Sequence, residues 1–68
     1  MRQVVIFQDE SGFFNAEVPS LPGCFSKGET YDEALINIGE AIQLWIDDAV
    51  EHGEEIPNDY SLIQIATV

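Results

Sequence analysis

The stretch Glu17-Val18-Pro19-Ser20-Leu21-Pro22-Gly23-Cys24-Phe25-Ser26-Lys27-Gly28-Glu29-Thr30-Tyr31-Asp32-Glu33-Ala34-Leu35-Ile36-Asn37-Ile38-Gly39-Glu40 decides the fold. Its first residues end a strand, because Pro19 lacks the amide needed to continue a central ladder and Pro22-Gly23 adds a second stiff bend. Cys24-Phe25-Ser26 resumes an extended course that ends near Gly28. Thr30 and Glu33 then stand at the spacing of a capping box, each side chain placed to satisfy an orphan amide at a helix start. Asp32 and Glu33 lie in the first turn, where the helix dipole favours negative charge.

Working outward toward the N-terminus, residues 2–8 read as a strand. Asp9-Glu10-Ser11-Gly12 supplies turn-forming side chains and a glycine, and a second strand follows over residues 13–18, making a hairpin. Phe14, Ala16 and Val18 share one face of that second strand, with Phe13, Asn15 and Glu17 on the other. The first strand is apolar on both faces, with Val4 and Ile6 on one side and Val5 and Phe7 on the other.

Toward the C-terminus, a helix is predicted from Tyr31 to His52. Ala34, Leu35, Ile38, Ala41, Ile42, Trp45, Ile46 and Ala49 recur at three- and four-residue spacing as one apolar stripe. Glu33, Asn37, Glu40, Gln43, Asp47, Asp48 and Glu51 fall opposite. Ile36 and Leu44 lie outside the stripe; they are either ordinary exposed aliphatics or a second contact surface. Gly53 is placed to end the helix in a left-handed conformation, and residues 54–59 form a connection. Residues 60–67 read as a last strand that contains no charge and no proline.

The expected fold is therefore α+β in the order β-β-β-α-β, with one helix packed on a small mixed sheet. If the last strand lies parallel beside the first, Leu62, Ile63, Gln64, Ile65 and Ala66 form an uncharged edge that invites a second chain. A homo-oligomer is the expectation. The two-faced apolar character of Val4 to Phe7 points the same way. A helix of about 33 Å against a strand of roughly 20 Å leaves Trp45 and Val50 overhanging the sheet.

Composition bounds the function. A chain of 68 residues holds one domain and one modest core, and 46% hydrophobic residues are too many for a disordered acidic tail despite a net charge of -11. Thirteen acids against Arg2 and Lys27 repel phosphate backbones, which argues against nucleic-acid binding by the isolated chain. The same charge suits a basic protein partner, or serves solubility alone. Cys24 is the only cysteine, so no intramolecular disulfide and no thiol zinc site can form. With neither a leader peptide nor a membrane-spanning run, the expectation is an unprocessed cytoplasmic protein.

No catalytic constellation emerges. His52, the only imidazole, has no companion ligand at metal-binding spacing and reads as a surface residue at the negative end of the helix dipole. Cys24 lacks a neighbouring histidine and reads as a small core side chain. Ser11, Ser20, Ser26 and Ser61 have no partner base and no nucleophile elbow. Three strands, a helix and a fourth strand resemble part of the ribonuclease H fold, whose enzymes hold magnesium with acids. Here Asp9 ends the first strand, Glu40 faces away from the apolar stripe and residues 60–68 carry no acid. A metal nuclease is the weakest reading, and no cofactor or metal is expected. Lys27-Gly28 lacks the rest of a phosphate loop.

The run from Gly12-Phe13-Phe14-Asn15-Ala16 through Val18-Pro19-Ser20-Leu21-Pro22-Gly23-Cys24 and Gly28-Glu29-Thr30-Tyr31-Asp32-Glu33-Ala34-Leu35-Ile36-Asn37, continuing to Glu40-Ala41-Ile42 and Ile56-Pro57, resembles the signature of small HicB-like antitoxins. The resemblance covers most of the chain. It implies a partial ribonuclease H-like domain that is not an enzyme and that binds and blocks HicA, a small RNA-cleaving toxin. The acidic helix residues Glu33, Glu40, Asp47, Asp48 and Glu51, with Ile36 and Leu44, are the candidate recognition surface. Longer HicB proteins carry a further DNA-binding domain, whereas this chain stops at Val68, so a single domain without operator binding is expected. A solitary oligomerisation module without a toxin is the competing reading.

Overall fold

The computed structural model of the chain describes residues 2–59 and 66–68. Its elements are β1 (Val5–Gln8), β2 (Phe14–Glu17), β3 (Phe25–Gly28) and α1 (Tyr31–Glu51). The strands form one antiparallel sheet in the order β1-β2-β3, and the α+β class read from the sequence holds. The expected fourth strand, and with it the edge residues Leu62 to Ile65, lies outside the described residues. Ala66 is exposed.

Each element has a local cause. Gly12, at φ 90, allows the β1–β2 reversal, and the Asp9 carboxylate locks it by accepting the amides of Ser11 and Phe13, each at 3.0 Å, and Asn15 Nδ2 at 2.9 Å. The Asn15 bond, with those amides, lowers the Asp9 pKa. The β1 ladder ends at the pair Val5–Glu17 because β2 stops there. The chain turns at Val18, whose amide bonds the Cys24 carbonyl at 3.0 Å. Residues 2–4 thus have no ladder partner on β2, and the first strand is shorter than its composition suggests.

The double-proline segment is more than a connection. Val18, Ser20, Leu21 and Cys24 are all buried, and Leu21 is among the largest side chains fully removed from solvent. The turn is closed by the Leu21 amide on the Val18 carbonyl at 3.1 Å and the Cys24 amide on the Leu21 carbonyl at 3.0 Å. Ala16, Val18, Leu21, Cys24 and Ile38 make the core, with Val4, Ile6, Ala41, Ile42 and Trp45 packed around it.

A polar clasp closes the structure beside this core. The Arg2 guanidinium donates to Ser20 Oγ at 3.1 Å, and that hydroxyl donates to Asp59 Oδ1 at 3.1 Å. The Gln3 amide meets both Asp59 oxygens, at 3.1 and 2.9 Å. Buried Ser20 is thereby satisfied, as burial of a hydroxyl requires.

Helix α1 starts as expected, with Thr30 Oγ1 accepting the Glu33 amide at 3.1 Å. The reciprocal half of the box is displaced by one residue: Glu33 Oε1 accepts the amide of Glu29 at 3.3 Å. At the other end Gly53 has φ 67, its amide bonds the Val50 carbonyl at 3.1 Å, and the Glu54 amide bonds that of Ala49 at 2.8 Å. This pair of bonds is a Schellman closure. The buried seam of the helix is narrower than the sequence stripe. Ala34, Ile38 and Ala49 are buried, whereas Leu35 is 44% exposed at its margin. Trp45 does not overhang: its Nε1 donates to the Pro22 carbonyl at 3.0 Å, tying the helix to the proline turn. Val50 does project, at 63% exposure.

Candidate functional site

Successive helical residues turn by about 100°, so the sequence positions on α1 map directly to directions around its axis. The buried seam of Ala34, Ile38 and Ala49 sets the inward side. Glu33, Ile36, Glu40, Leu44, Asp47 and Glu51 then share an arc of roughly 80° on the outward side. Asp48 flanks that arc. Asn37 marks the boundary toward β3, its Nδ2 donating to the Lys27 carbonyl at 2.9 Å.

All seven expected residues are exposed, and Ile36 and Leu44 project at 63% and 70%. The structure therefore gathers the helix candidates on one surface. They are not chemically equivalent. Glu33 is committed to the helix start, and Asp47 Oδ1 accepts Gln43 Nε2 at 2.8 Å. Asp48 serves the helix end, where its Oδ1 lies 3.4 Å from His52 Nδ1, an ion pair when the imidazole is protonated. His52 Nδ1 also donates to the Asp48 carbonyl at 2.8 Å. That carbonyl bond, assisted by the Asp48 charge, raises the imidazole pKa above its ordinary 6.5. Both members are exposed, so solvent screens the pair.

The groups that could do covalent chemistry are dispersed or engaged. Cys24 is buried, and burial raises its thiol pKa, the opposite of nucleophile activation. Ser20 is enclosed in the clasp with Asp59. Among the described residues no three His, Cys, Asp or Glu side chains come together as a metal site, and no cavity suited to a small molecule is present. No helix among them is long and apolar enough to cross a membrane.

The second exposed region was not singled out by sequence reasoning. On the sheet face that α1 leaves uncovered, Phe7 and Phe25 are 51% and 72% exposed. The alternation in β1 pointed toward Phe7, but Phe25 sits on a strand too short to show a period. The clasp of Arg2, Ser20 and Asp59 was equally invisible, since its members are far apart in the chain.

The described residues form a small α+β domain whose surface offers a charged helix face and an open sheet face. Residues 3–67 match the family described as HicB_like antitoxin of bacterial toxin-antitoxin system. A UPF0150 protein of Thermoplasma acidophilum is 52% identical over 56 residues, spanning 82% of this chain and 81% of its own. A UPF0150 protein of Archaeoglobus fulgidus is 42% identical over 55 residues, spanning 78% and 80%. The crystal structure of the N-terminal domain of the Burkholderia pseudomallei antitoxin HicB superposes with a TM-score of 0.75 at 32% identity, over 87% of this chain and 69% of that one. The chain belongs to the HicB-like antitoxin family.

Proposed function

We propose that this chain neutralises a HicA-like, RNA-cleaving toxin by laying the outward face of α1 over the toxin's active site. The observation that carries the proposal is the exposure of Ile36 and Leu44 inside an acidic stripe on a helix capped at both ends. Such a surface joins an apolar centre to a charged rim. The carboxylates steer a basic partner and set the docking register, while burial of the two aliphatics slows dissociation. The domain acts by occlusion and performs no catalysis of its own.

A basic ribonuclease binds RNA through cationic side chains, and this face presents the same sign of charge as the RNA backbone. The reading includes a cytoplasmic setting, where the toxin would meet its RNA. It also includes self-association of the antitoxin, first expected from the edge at residues 62–66. A solitary oligomerisation module is the second reading, favoured by the exposed Phe7 and Phe25 away from the helix.

Replacement of Glu40 and Asp47 together by lysine tests the first reading. Affinity for a small basic toxin, identified by low-salt co-purification from the native cells, is expected to fall at least roughly tenfold, with RNA cleavage restored in proportion. Undiminished affinity with the helix intact by circular dichroism would remove this face from the mechanism.

A further inference from the structure

The order β1-β2-β3 leaves the outer side of β3 without a neighbouring strand among the described residues. Just before β3 the Cys24 carbonyl turns to the Val18 amide at the end of β2, and within it the Lys27 carbonyl turns the other way, to Asn37 of α1. Backbone groups alternate between the two sides of a strand, so Ser26 and Gly28 pair toward Ala16 and Phe14 while Phe25 and Lys27 face outward. The Phe25 amide and carbonyl and the Lys27 amide bond no described residue.

The helix builds a wall over this edge. Asn37 bonds Lys27 and Trp45 bonds Pro22, so α1 runs back along β3 for about 12 Å between the two ties. Asn37, Leu44 and Asp48 fall within about 40° of one another around the helix axis, on the side that Asn37 turns to the edge. Leu44 is 70% exposed there. Folded proteins ordinarily guard an open edge with a charged side chain, a proline or a covering loop. Lys27 does not guard this one, because its ammonium is drawn toward β2, 5.0 Å from the centre of the Phe13 ring. Edge and wall together make a shelf.

We propose that this shelf receives an extended segment of the basic toxin, which adds a strand outside β3. The proposal rests on the toxin-capture reading above and names how the toxin is held. The added strand bonds the outward groups of Phe25 and the Lys27 amide, and Asn37 ends the pairing by occupying the Lys27 carbonyl. Residues directly opposite in a sheet share a face, so the toxin residue opposite Phe25 lies against that exposed ring and the one opposite Ser26 points up beneath Leu44. Main-chain bonds supply affinity in such a contact and the alternate side chains supply selectivity. Charge decides the occupant: Glu29 and Glu33 stand at one end of the shelf and Asp48 at the other. They attract a basic segment and repel a second chain of net charge -11.

Amide hydrogen exchange of the full chain, read by NMR with and without the basic toxin recovered by low-salt co-purification, tests it. The Phe25 and Lys27 amides are expected to exchange fast in the free chain and at least about tenfold slower in the complex. Phe25→Pro removes an outward amide without touching the β2 ladder and is expected to weaken toxin affinity at least about tenfold. Phe25→Ala keeps that amide and should weaken it less. The double lysine replacement at Glu40 and Asp47 reads the helix face separately. If it weakens capture while both amides stay fast in the complex, the shelf proposal falls and the occlusion reading stands; if neither the replacement nor the toxin changes anything, both fall. Protection already present in the free chain and rising with its concentration would give the edge to a second copy and overturn the proposal. A folded Phe25→Pro variant with undiminished affinity overturns it as well.

Discussion

Replacing Gly28 by alanine places a methyl group where β3 meets the start of α1. A Cβ there would lie 2.6 Å from the Ala34 amide nitrogen and 2.9 Å from both the Glu33 carbonyl carbon and its Cβ. Two of those atoms are backbone, in the first turn of a helix whose cap is already fixed by Thr30. Neither can swing aside like the end of a flexible side chain. The helix must lift or the strand must bend, at about 1–3 kcal/mol for an overpacked site. Loss of glycine's freedom in the unfolded chain returns about 0.4–1 kcal/mol, so the mid-range values leave a net loss of about 1.3 kcal/mol. For a domain of this size that lowers Tm by about 5–10 °C. Gly39→Ala supplies the opposite control, since nothing lies within 4 Å of a Cβ at that position on α1, and helix propensity favours alanine by about 1 kcal/mol. Thermal melts followed by far-UV circular dichroism compare the two. A Gly28→Ala protein that melts at or above the parent temperature would refute the close-approach argument.

Thr30→Ala removes the hydroxyl that caps α1 and is expected to cost about 1 kcal/mol in urea unfolding. Asp59→Ala leaves the Gln3 amide and the buried Ser20 hydroxyl short of an acceptor, a loss of about 1–3 kcal/mol measured in the same way. An NMR titration should place the His52 pKa above 6.5, and Asp48→Asn should lower it only in part, because the Asp48 carbonyl bond remains. Since that pKa is raised on folding, the His52 contribution to stability is present below pH 6.5 and disappears as pH rises through the folded value. Asp9 runs the other way: its contribution is present above its ordinary 3.8 and is lost as pH falls through the lowered folded value, which Asn15→Ala should raise.

Local rules made much of the architecture legible. The Thr30 cap, the glycine beyond the helix and the hairpin turn depend on neighbouring residues, and all three formed where the sequence placed them, although the Glu33 carboxylate takes the Glu29 amide in place of that of Thr30. The outward positions of Ile36 and Leu44 followed from helical periodicity alone. What escaped depended on tertiary placement. Leu21 lies between two prolines and shows no period, yet the turn folds it inward under the helix. Leu35 satisfied the apolar spacing but fell at the margin of the seam, because a single helix over so small a sheet buries a narrow band. Trp45 was assigned to an overhang because the reasoning compared lengths without knowing that the Pro22 carbonyl would stand within reach.

The clasp also bears on the order in which the chain folds. Each sheet pairing joins strands adjacent in sequence, whereas the Gln3–Asp59 bond spans 56 residues. Closing a free loop of that length costs about 3.5 kcal/mol in chain entropy, more than this bond returns by itself. After α1 has docked, only the short segment beyond Gly53 remains to be drawn in. The clasp therefore closes last and opens first. Native-state hydrogen exchange should find the Gln3 amide released in openings that leave the β1–β2 ladder and the middle of α1 protected. That outcome would define a seam between Gln3 and Asp59 that parts while the central sheet and helix stay folded.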